Sequence, residues 1–257
     1  MEGQHFCAVM VASEIRIANN PAELFKAAAD EFASLAAQAV HRKGSFCVAL
    51  SGGSTPKGLY ALLASKYAPA IPWRQTSVFF GDERFVLPEH PDSNFRMANE
   101  TLLSRVPLLP ENVFRVHTEE ASAEAAALQY ESVVKNYFAL RPGEFPRFDL
   151  ILLGLGPDGH TASLFPGTAA LEEKHRLVVA NWVEKLKAQR ITFTYPLINH
   201  AACVMFLVSG KEKAQILHEV LEDSNTELPA QRVRPVSGRL LWLIDQPAAG
   251  LLSGGTT

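Results

Sequence analysis

The chain has 257 residues, of which 47% are hydrophobic, and its formal net charge at pH 7 is −3. A disordered chain is excluded by this hydrophobic content, and the length suits one large α/β domain, residues 1–257, with a sizeable core. No long run of Lys or Arg occurs, so a nucleic-acid-binding protein, which usually carries a basic face, is not expected.

Cysteine usage and the amino-terminal segment indicate a reducing compartment. Three cysteines, Cys7, Cys47 and Cys203, occur without a CxxC pair, and buried reduced thiols are the simplest interpretation. The start MEGQHFCAVMVASE has no basic segment before its short apolar stretch, so neither a signal peptide nor a membrane span is expected. The chain is therefore predicted to be cytoplasmic and to have no membrane partner.

The first half of the chain alternates between predicted helices and strands. Asn20 and Pro21 are typical of an N-cap and a first helical residue, and Gly44 of a helix end. In chain order the pattern predicts helix 21–42, strand 45–50, helix 56–65, strand 76–80, helix 93–104, strand 113–116 and helix 121–140.

The second half continues the alternation. It predicts strands 148–155, 177–181, 191–194 and 203–208, helix 211–221, strand 239–244 and a short helix 246–252. Strand and helix in alternation are typical of a parallel sheet covered by helices on both faces. No repeat, low-complexity segment or linker interrupts the pattern, which favours a single domain.

Residues 50–60, LSGGSTPKGLY, form the first segment whose residues could bind a ligand. Gly52 and Gly53 permit a tight turn, Ser54 and Thr55 offer hydroxyl donors, and Pro56 begins a helix. Backbone N–H groups at such a helix start suit a phosphate group. The alternative is an ordinary turn capped by Ser54 or Thr55. Neither GxGxxG nor GxxxxGK[ST] is present, so a dinucleotide or a nucleoside triphosphate is not indicated.

Charged residues follow directly on the apolar strand in residues 79–98, FFGDERFVLPEHPDSNFRMA. Buried charges are costly unless they are paired or bind a ligand, so Asp82 and Arg84 are candidates to face a ligand or each other. The alternative is a surface ion pair at a strand end. Asp92 and Ser93 are interpreted as a helix cap, whereas Asn94 and Arg96 stay open.

Residues 148–168, FDLILLGLGPDGHTASLFPGT, combine a buried strand with a polar, glycine-containing loop. In open α/β sheets, ligands bind where loops leave the carboxyl ends of strands. His160 has the pKa range of a general base near neutral pH, and Asp158 could orient its imidazole. A structural histidine is the alternative, but its position in this loop favours a catalytic one.

Basic residues mark a further segment, in which Arg190 precedes a strand and Lys211 and Lys213 begin a helix. Cations are disfavoured at a helix amino terminus, and an anionic ligand could offset that cost. A solvated lysine pair is the alternative. No HExxH motif or Cys cluster indicates a metal site, and no GxSxG elbow indicates a serine hydrolase.

Taken together, the segments resemble the 6-phosphogluconolactonases, a branch of the glucosamine-6-phosphate isomerase/6-phosphogluconolactonase family. The resemblance covers about residues 20–250 and is carried, in order, by LSGGSTPKGLY, FFGDERFV, DSNFRMA, FDLILLGLGPDGHTASLFPG, RITFTYPLIN, VSGKEKAQIL and SGRLLWLID. It implies an α/β fold of the Rossmann-like, three-layer α/β/α type with a mostly parallel sheet.

The same resemblance implies the hydrolysis of 6-phospho-D-glucono-1,5-lactone to 6-phosphogluconate, the second step of the oxidative pentose phosphate pathway, without a cofactor or a metal. His160 would be the base and Asp158 would orient it. The sequence does not name the oxyanion donors, for which backbone N–H groups of residues 156–161 are candidates. The phosphorylated lactone, the one small-molecule partner implied, would be bound by Gly52, Gly53, Ser54, Thr55, Asp82, Arg84, Arg190 and Lys213. A monomer is expected, with an oligomer left open.

Two alternatives to a lactonase are weighed against specific residues of this chain. Glucosamine-6-phosphate deaminases typically have tyrosine at the position of Arg84, and their loop continues to an acidic FNEP-like segment. Here the loop continues as SLFP, residues 163–166, which favours the lactonase. A non-catalytic sugar-phosphate-binding regulator is the second alternative. Asp158 and His160 argue against it, because a sensor has no need of a general base.

Overall fold

The computed structural model describes residues 13–253. The predictions for Cys7 and for the amino-terminal segment lie outside this range. The strands are β1 (Glu14–Ala18), β2 (Phe46–Leu50), β3 (Thr76–Phe80), β4 (Asp82–Arg84), β5 (Leu150–Leu153), β6 (Val178–Val183), β7 (Ala188–Phe193), β8 (Cys203–Val208) and β9 (Arg239–Asp245). The α-helices are α1 (Pro21–Lys43), α2 (Ser54–Leu62), α3 (Asn94–Thr101), α4 (Ala123–Tyr137), α5 (Tyr195–Ile198) and α6 (Ala214–Glu222).

The main sheet has six strands in the order β1-β9-β8-β5-β2-β3, and every neighbouring pair is parallel. Side chains of β2 alternate between its faces. Phe46, Val48 and Leu50 pack with α1, α2 and α3, whereas Cys47 and Ala49 pack with α4, α5 and α6. Helices therefore cover both faces, and the predicted three-layer α/β/α fold with a mostly parallel sheet is confirmed.

Helix α1 begins and ends where its sequence predicts. The Asn20 side chain accepts a hydrogen bond from the Glu23 N–H at 3.0 Å, and Pro21 occupies the first turn. Gly44 ends the helix and donates its N–H to the Val40 carbonyl at 2.8 Å. Its φ of +79° would strain a residue that has a side chain.

A second sheet, antiparallel and three-stranded in the order β4-β7-β6, was not predicted. Its two longer strands were expected to belong to the parallel pattern. Only Glu184–Leu186 and Lys187 separate β6 from β7. A parallel connection needs a dozen or more residues, so this spacing permits only a hairpin. Side chains of β6 and β7 join the same hydrophobic cluster as α4, and this packing places the small sheet against the main sheet's helical layer.

The chain leaves the neighbouring strands β2 and β5 towards opposite edges of the main sheet. After β2 the chain continues to the edge strand β3, whereas after β5 it continues to β8 on the other side. Loops leaving such neighbours diverge and open a crevice at their carboxyl ends, where α/β sheets bind ligands. The segments after these two strands are residues 51–55 and 154–161, the predicted phosphate turn and the predicted catalytic loop.

Two predicted elements were wrong, and one strand was missed. The predicted strand 113–116 is a single bridge between Val113 and Val78, and the predicted helix 246–252 consists of turns. Strand β1 was missed because it lies at the sheet edge with mostly exposed side chains, so its sequence EIRIA has no buried apolar run.

Burial of the cysteines agrees with the sequence where the structure describes them. Cys47 and Cys203 are buried free thiols, and burial raises the pKa of Cys203 to about 11. Between residues 13 and 253, none of the helices has both the length and the apolar character required to cross a membrane.

Candidate active site

A cleft of about 430 Å³ opens at the carboxyl ends of β2 and β5. His160 lines it, and Asp158 contacts His160 directly. The structure thus brings together all the residues that the sequence predicted for the site. The predicted substrate-binding residues that line the cleft are Gly52, Gly53, Ser54, Thr55, Asp82, Arg84, Arg190 and Lys213.

The turn after β2 leaves its helix start without a side-chain cap. Gly53, at φ +105°, is the N-cap of α2, and neither Ser54 nor Thr55 caps the helix. The alternative of an ordinary capped turn is therefore wrong, and first-turn N–H groups remain for an anion. Tyr60 holds the turn from α2, because its hydroxyl accepts from the Ser51 N–H at 2.9 Å and donates to the Ser51 carbonyl at 2.8 Å.

Asn94 packs directly against this turn. A Cβ atom on Gly52 would overlap the Asn94 amide, so only glycine permits the approach. The Asn94 Nδ2 donates to the Asp82 carbonyl at 2.9 Å, and Asn94 lines the cleft. Asn94, which the sequence left open, therefore belongs to the site. Arg96, also left open, lies outside the lining and pairs with Glu100 at 2.7 Å.

Three cations converge on the cleft. Arg84 on β4 lies directly opposite Arg190 on β7 in the antiparallel register, and Lys213 approaches from the segment before α6. Burial and the neighbouring Arg84 lower the pKa of Arg190. Like charges in cross-strand register destabilise a sheet, so this arrangement favours an anionic ligand. Lys211, the other lysine singled out in the sequence, is not part of the lining.

The acidic residues of β4 have separate roles. The Asp82 carboxylate accepts from the Ser163 hydroxyl at 2.7 Å, and among the described ion pairs none joins Asp82 to Arg84. Arg84 instead donates to the Asp92 carbonyl.

Glu83 is buried beneath the site and accepts from the backbone N–H groups of Asn94 and Phe95 at 2.7 and 2.8 Å. Burial raises the pKa of Glu83. Glu83 therefore anchors α3.

The imidazole of His160 is held on three sides. Its Nδ1 contacts the Asp158 carboxylate, and its ring stacks on Phe165 with centroids 4.0 Å apart and an interplanar angle of 24°. A Cβ atom on Gly156 would overlap the imidazole, so that glycine forms the third wall. Because Nδ1 is engaged by a carboxylate, Nε2 is the nitrogen that remains to accept a proton.

Burial lowers the pKa of His160 to about 4. Lys213, Arg190 and Arg84 act in the same direction, because their positive charges disfavour an imidazolium, whereas the charge of Asp82 opposes them. The imidazole is therefore neutral at neutral pH, which is the form that a general base requires.

The loop around His160 is closed by its own hydrogen bonds. The Gly156 N–H donates to the His160 carbonyl at 2.8 Å, and the Gly159 N–H donates to the Gly156 carbonyl at 3.1 Å. The His160 N–H donates to the Asp158 carboxylate at 3.3 Å. These three N–H groups already have acceptors, which argues against the expectation that they would stabilise an oxyanion.

Sequence reasoning missed residues that reach the site from elsewhere in the fold. Lys185, in the β6–β7 hairpin, contacts the Asp158 carboxylate, and no local motif surrounds it. Phe165 and Ser163 were noted only as residues that separate two families, yet they contact His160 and Asp82. Within the described residues, no three His, Cys, Asp or Glu side chains are grouped to hold a metal ion.

Residues 19–242 match the sequence profile of the family described as glucosamine-6-phosphate isomerases/6-phosphogluconolactonase. The chain belongs to this family. It is 45% identical over 217 residues to a 6-phosphogluconolactonase of Nostoc sp., covering 84% of this chain and 88% of that one. It is 46% identical over 213 residues to a 6-phosphogluconolactonase of Synechocystis sp., covering 82% and 86%.

A solved structure of a family member supports the same relationship. The 6-phosphogluconolactonase from Trypanosoma cruzi superposes with a TM-score of 0.84 at 31% identity, covering 96% of this chain and 99% of that one. The family resemblance inferred from the motifs and the fold inferred from the alternating elements are both confirmed.

Proposed function

We propose that this chain hydrolyses 6-phospho-D-glucono-1,5-lactone to 6-phosphogluconate. The observation that carries the proposal is the composition of one cleft, in which a neutral, carboxylate-bound His160 lies with an uncapped helix start and three cations. Its curated relatives of 45% and 46% identity bear the name 6-phosphogluconolactonase. As a lactone hydrolase, the chain would be a carboxylic ester hydrolase.

The phosphate group would bind at the turn of Gly52, Gly53, Ser54 and Thr55. First-turn N–H groups of α2 and the hydroxyl groups donate to it, and Arg84, Arg190 and Lys213 neutralise its charge. The phosphate offsets the repulsion between the two opposed arginines. Asp82, held by Ser163 at 2.7 Å, is available to accept from a sugar hydroxyl. Anchoring at the phosphate fixes the lactone carbonyl relative to His160.

His160 would act first as a base and then as an acid. Its Nε2 takes a proton from water while the water oxygen attacks the lactone carbonyl carbon. The carbon–ring oxygen bond then breaks, and the imidazolium returns the proton to that oxygen, which becomes a hydroxyl group. Asp158 holds Nδ1 and stabilises the transient imidazolium. A lactone is an activated ester, so base catalysis and positioning supply the rate enhancement without a cofactor.

An assay of the purified chain on two substrates tests the proposal. We expect 6-phosphogluconolactone to be hydrolysed well above its spontaneous rate and glucosamine 6-phosphate to release no ammonia. Ammonia release would assign the chain to the deaminase branch of the family. Binding of either compound without turnover would instead support a sugar-phosphate-binding regulator.

Arg84→Ala is expected to raise KM by about 10- to 100-fold, because one charge-assisted hydrogen bond to phosphate is lost. Turnover at saturating substrate should change much less, since Arg84 lies with the phosphate-binding cations. Steady-state kinetics on fresh lactone measure both constants. Arg96→Ala is the matched control, because Arg96 pairs with Glu100 outside the cleft. A loss confined to kcat would place Arg84 at the carbonyl instead.

The titration of His160 provides a test that needs no substrate. Because burial lowers its pKa from 6.5 to about 4, its imidazole NMR signals are expected to move near pH 4 in the free protein. The His160→Ala variant, which lacks these signals, assigns them. Above that pH the base is neutral and active, and activity is lost as the pH falls through the pKa. A midpoint at 6.5 or higher would contradict the environment described for His160.

A further inference from the structure

The β6–β7 hairpin, residues 184–187, brings a lysine to the catalytic loop. Lys185 Nζ contacts the Oδ2 atom of Asp158, while the Oδ1 atom of the same carboxylate contacts Nδ1 of His160. The two oxygens of Asp158 thus have different partners, one from its own loop and one from the small sheet. Lys185 also lines the cleft.

Lys185 also contacts Phe165, the ring on which the imidazole of His160 stacks. Its Nζ lies 4.9 Å from the centroid of the Phe165 ring, within the range of a cation–π interaction. His160 stacks on the same ring, with the two centroids 4.0 Å apart. One ammonium group therefore contacts both side chains that orient the catalytic imidazole.

We propose that Lys185 is a positioning residue for the catalytic pair Asp158–His160. It fixes the carboxylate of Asp158 so that one oxygen accepts from Nδ1 and Nε2 faces the cleft. The proposal rests on the proposed function, in which His160 is the base. An ion pair between a half-exposed lysine and a partly exposed carboxylate adds little to folding stability, so its consequence is the orientation of Asp158.

The charge of Lys185 has a second consequence. The ionised groups that face His160 are Asp158, Asp82, Arg84, Arg190 and Lys213. Lys185 neutralises much of the charge of Asp158, the nearest of the two carboxylates to Nδ1. Without Lys185 that charge acts fully on the imidazole and stabilises the imidazolium. The titration midpoint of His160 should then move to higher pH.

Lys185→Met is expected to lower kcat about tenfold with KM nearly unchanged, the size typical of coupling between contacting residues. Lys185→Arg, which keeps the cation, should retain most of the turnover. Lys187→Met is the matched control, because it removes a lysine from the same hairpin outside the cleft lining. Equal losses in Lys185→Met and Lys187→Met would overturn the proposal, as would unchanged turnover in Lys185→Met.

A double-mutant cycle with Asp158→Asn tests whether Lys185 acts through Asp158. In the Asp158→Asn background, Lys185→Met should cause no further loss of turnover. A full tenfold loss in that background would show that Lys185 does not act through Asp158 and would overturn the positioning role.

NMR titration separates this proposal from the proposed function. The His160 midpoint should rise in Lys185→Met and stay at its wild-type value in Lys187→Met, whether or not the wild-type chain hydrolyses the lactone. An unmoved midpoint in an active enzyme would overturn the role of Lys185 alone. Absence of lactone hydrolysis with a shifted midpoint would overturn the proposed function and leave the contact between Lys185 and the pair established.

Discussion

His160→Ala is expected to lower kcat for lactone hydrolysis by about 10²- to 10⁴-fold, the range by which a positioned base accelerates a reaction. Substrate affinity should stay close to that of the wild type, because the phosphate site proposed above lies at the turn after β2 and the cations of the cleft, away from His160. Steady-state kinetics, with product binding measured separately by calorimetry, distinguish the two effects.

His117→Ala is the matched control for this substitution, because His117 is exposed and outside the cleft. It should leave kcat and KM unchanged. Circular dichroism should show the same folded content in both variants. Wild-type turnover in His160→Ala would contradict the assignment of the base and would direct attention to Asp82, the carboxylate that lines the cleft.

Gly156→Ala is expected to lower kcat by about 100-fold, although it changes no group that takes part in the reaction. The added Cβ atom would overlap atoms Cε1 and Nδ1 of His160, so the imidazole must leave its place between Gly156 and Phe165. Displacement by about 1 Å is enough for a loss of this size. The measurement is kcat at saturating lactone, together with the crystal structure of the variant.

Gly154→Ala, two residues earlier in the same loop, is the control. A Cβ atom there would meet only the Ser51 hydroxyl, at 4.0 Å, which is ordinary van der Waals contact. Its kcat should lie within a few-fold of the wild-type value. If the two alanine variants had equal activity, the wall that Gly156 forms for the imidazole would be unimportant for catalysis.

Individual elements show why parts of the fold could be predicted. Helix α1 carries its start and end signals, Asn20, Pro21 and Gly44, within its own sequence, and its bounds were predicted to within one residue. The turn after β2 and the loop after β5 were found because glycines and polar residues interrupt apolar runs. Such signals lie within one short segment, so they can be recognised without knowing which residues that segment contacts in the fold.

Other features depended on contacts that no local pattern contains. Strand β1 needs only the edge of β9 as a partner, so it has no buried apolar run. The hairpin of β6 and β7 could have been recognised from its short connection, yet its pairing with β4 could not. No sequence motif includes Lys185, so the sequence did not predict that it contacts Asp158.

The sequence by itself determined the family, the layered α/β architecture and the residue types of the site, because periodicity, turn residues and motif order are properties of short segments. The tertiary structure decided that β2 and β5 are neighbours with diverging connections, which unites residues 51–55 with residues 154–161. It also decided that Arg84 opposes Arg190. Strand order and register result from packing between segments distant in the chain, which no single segment specifies.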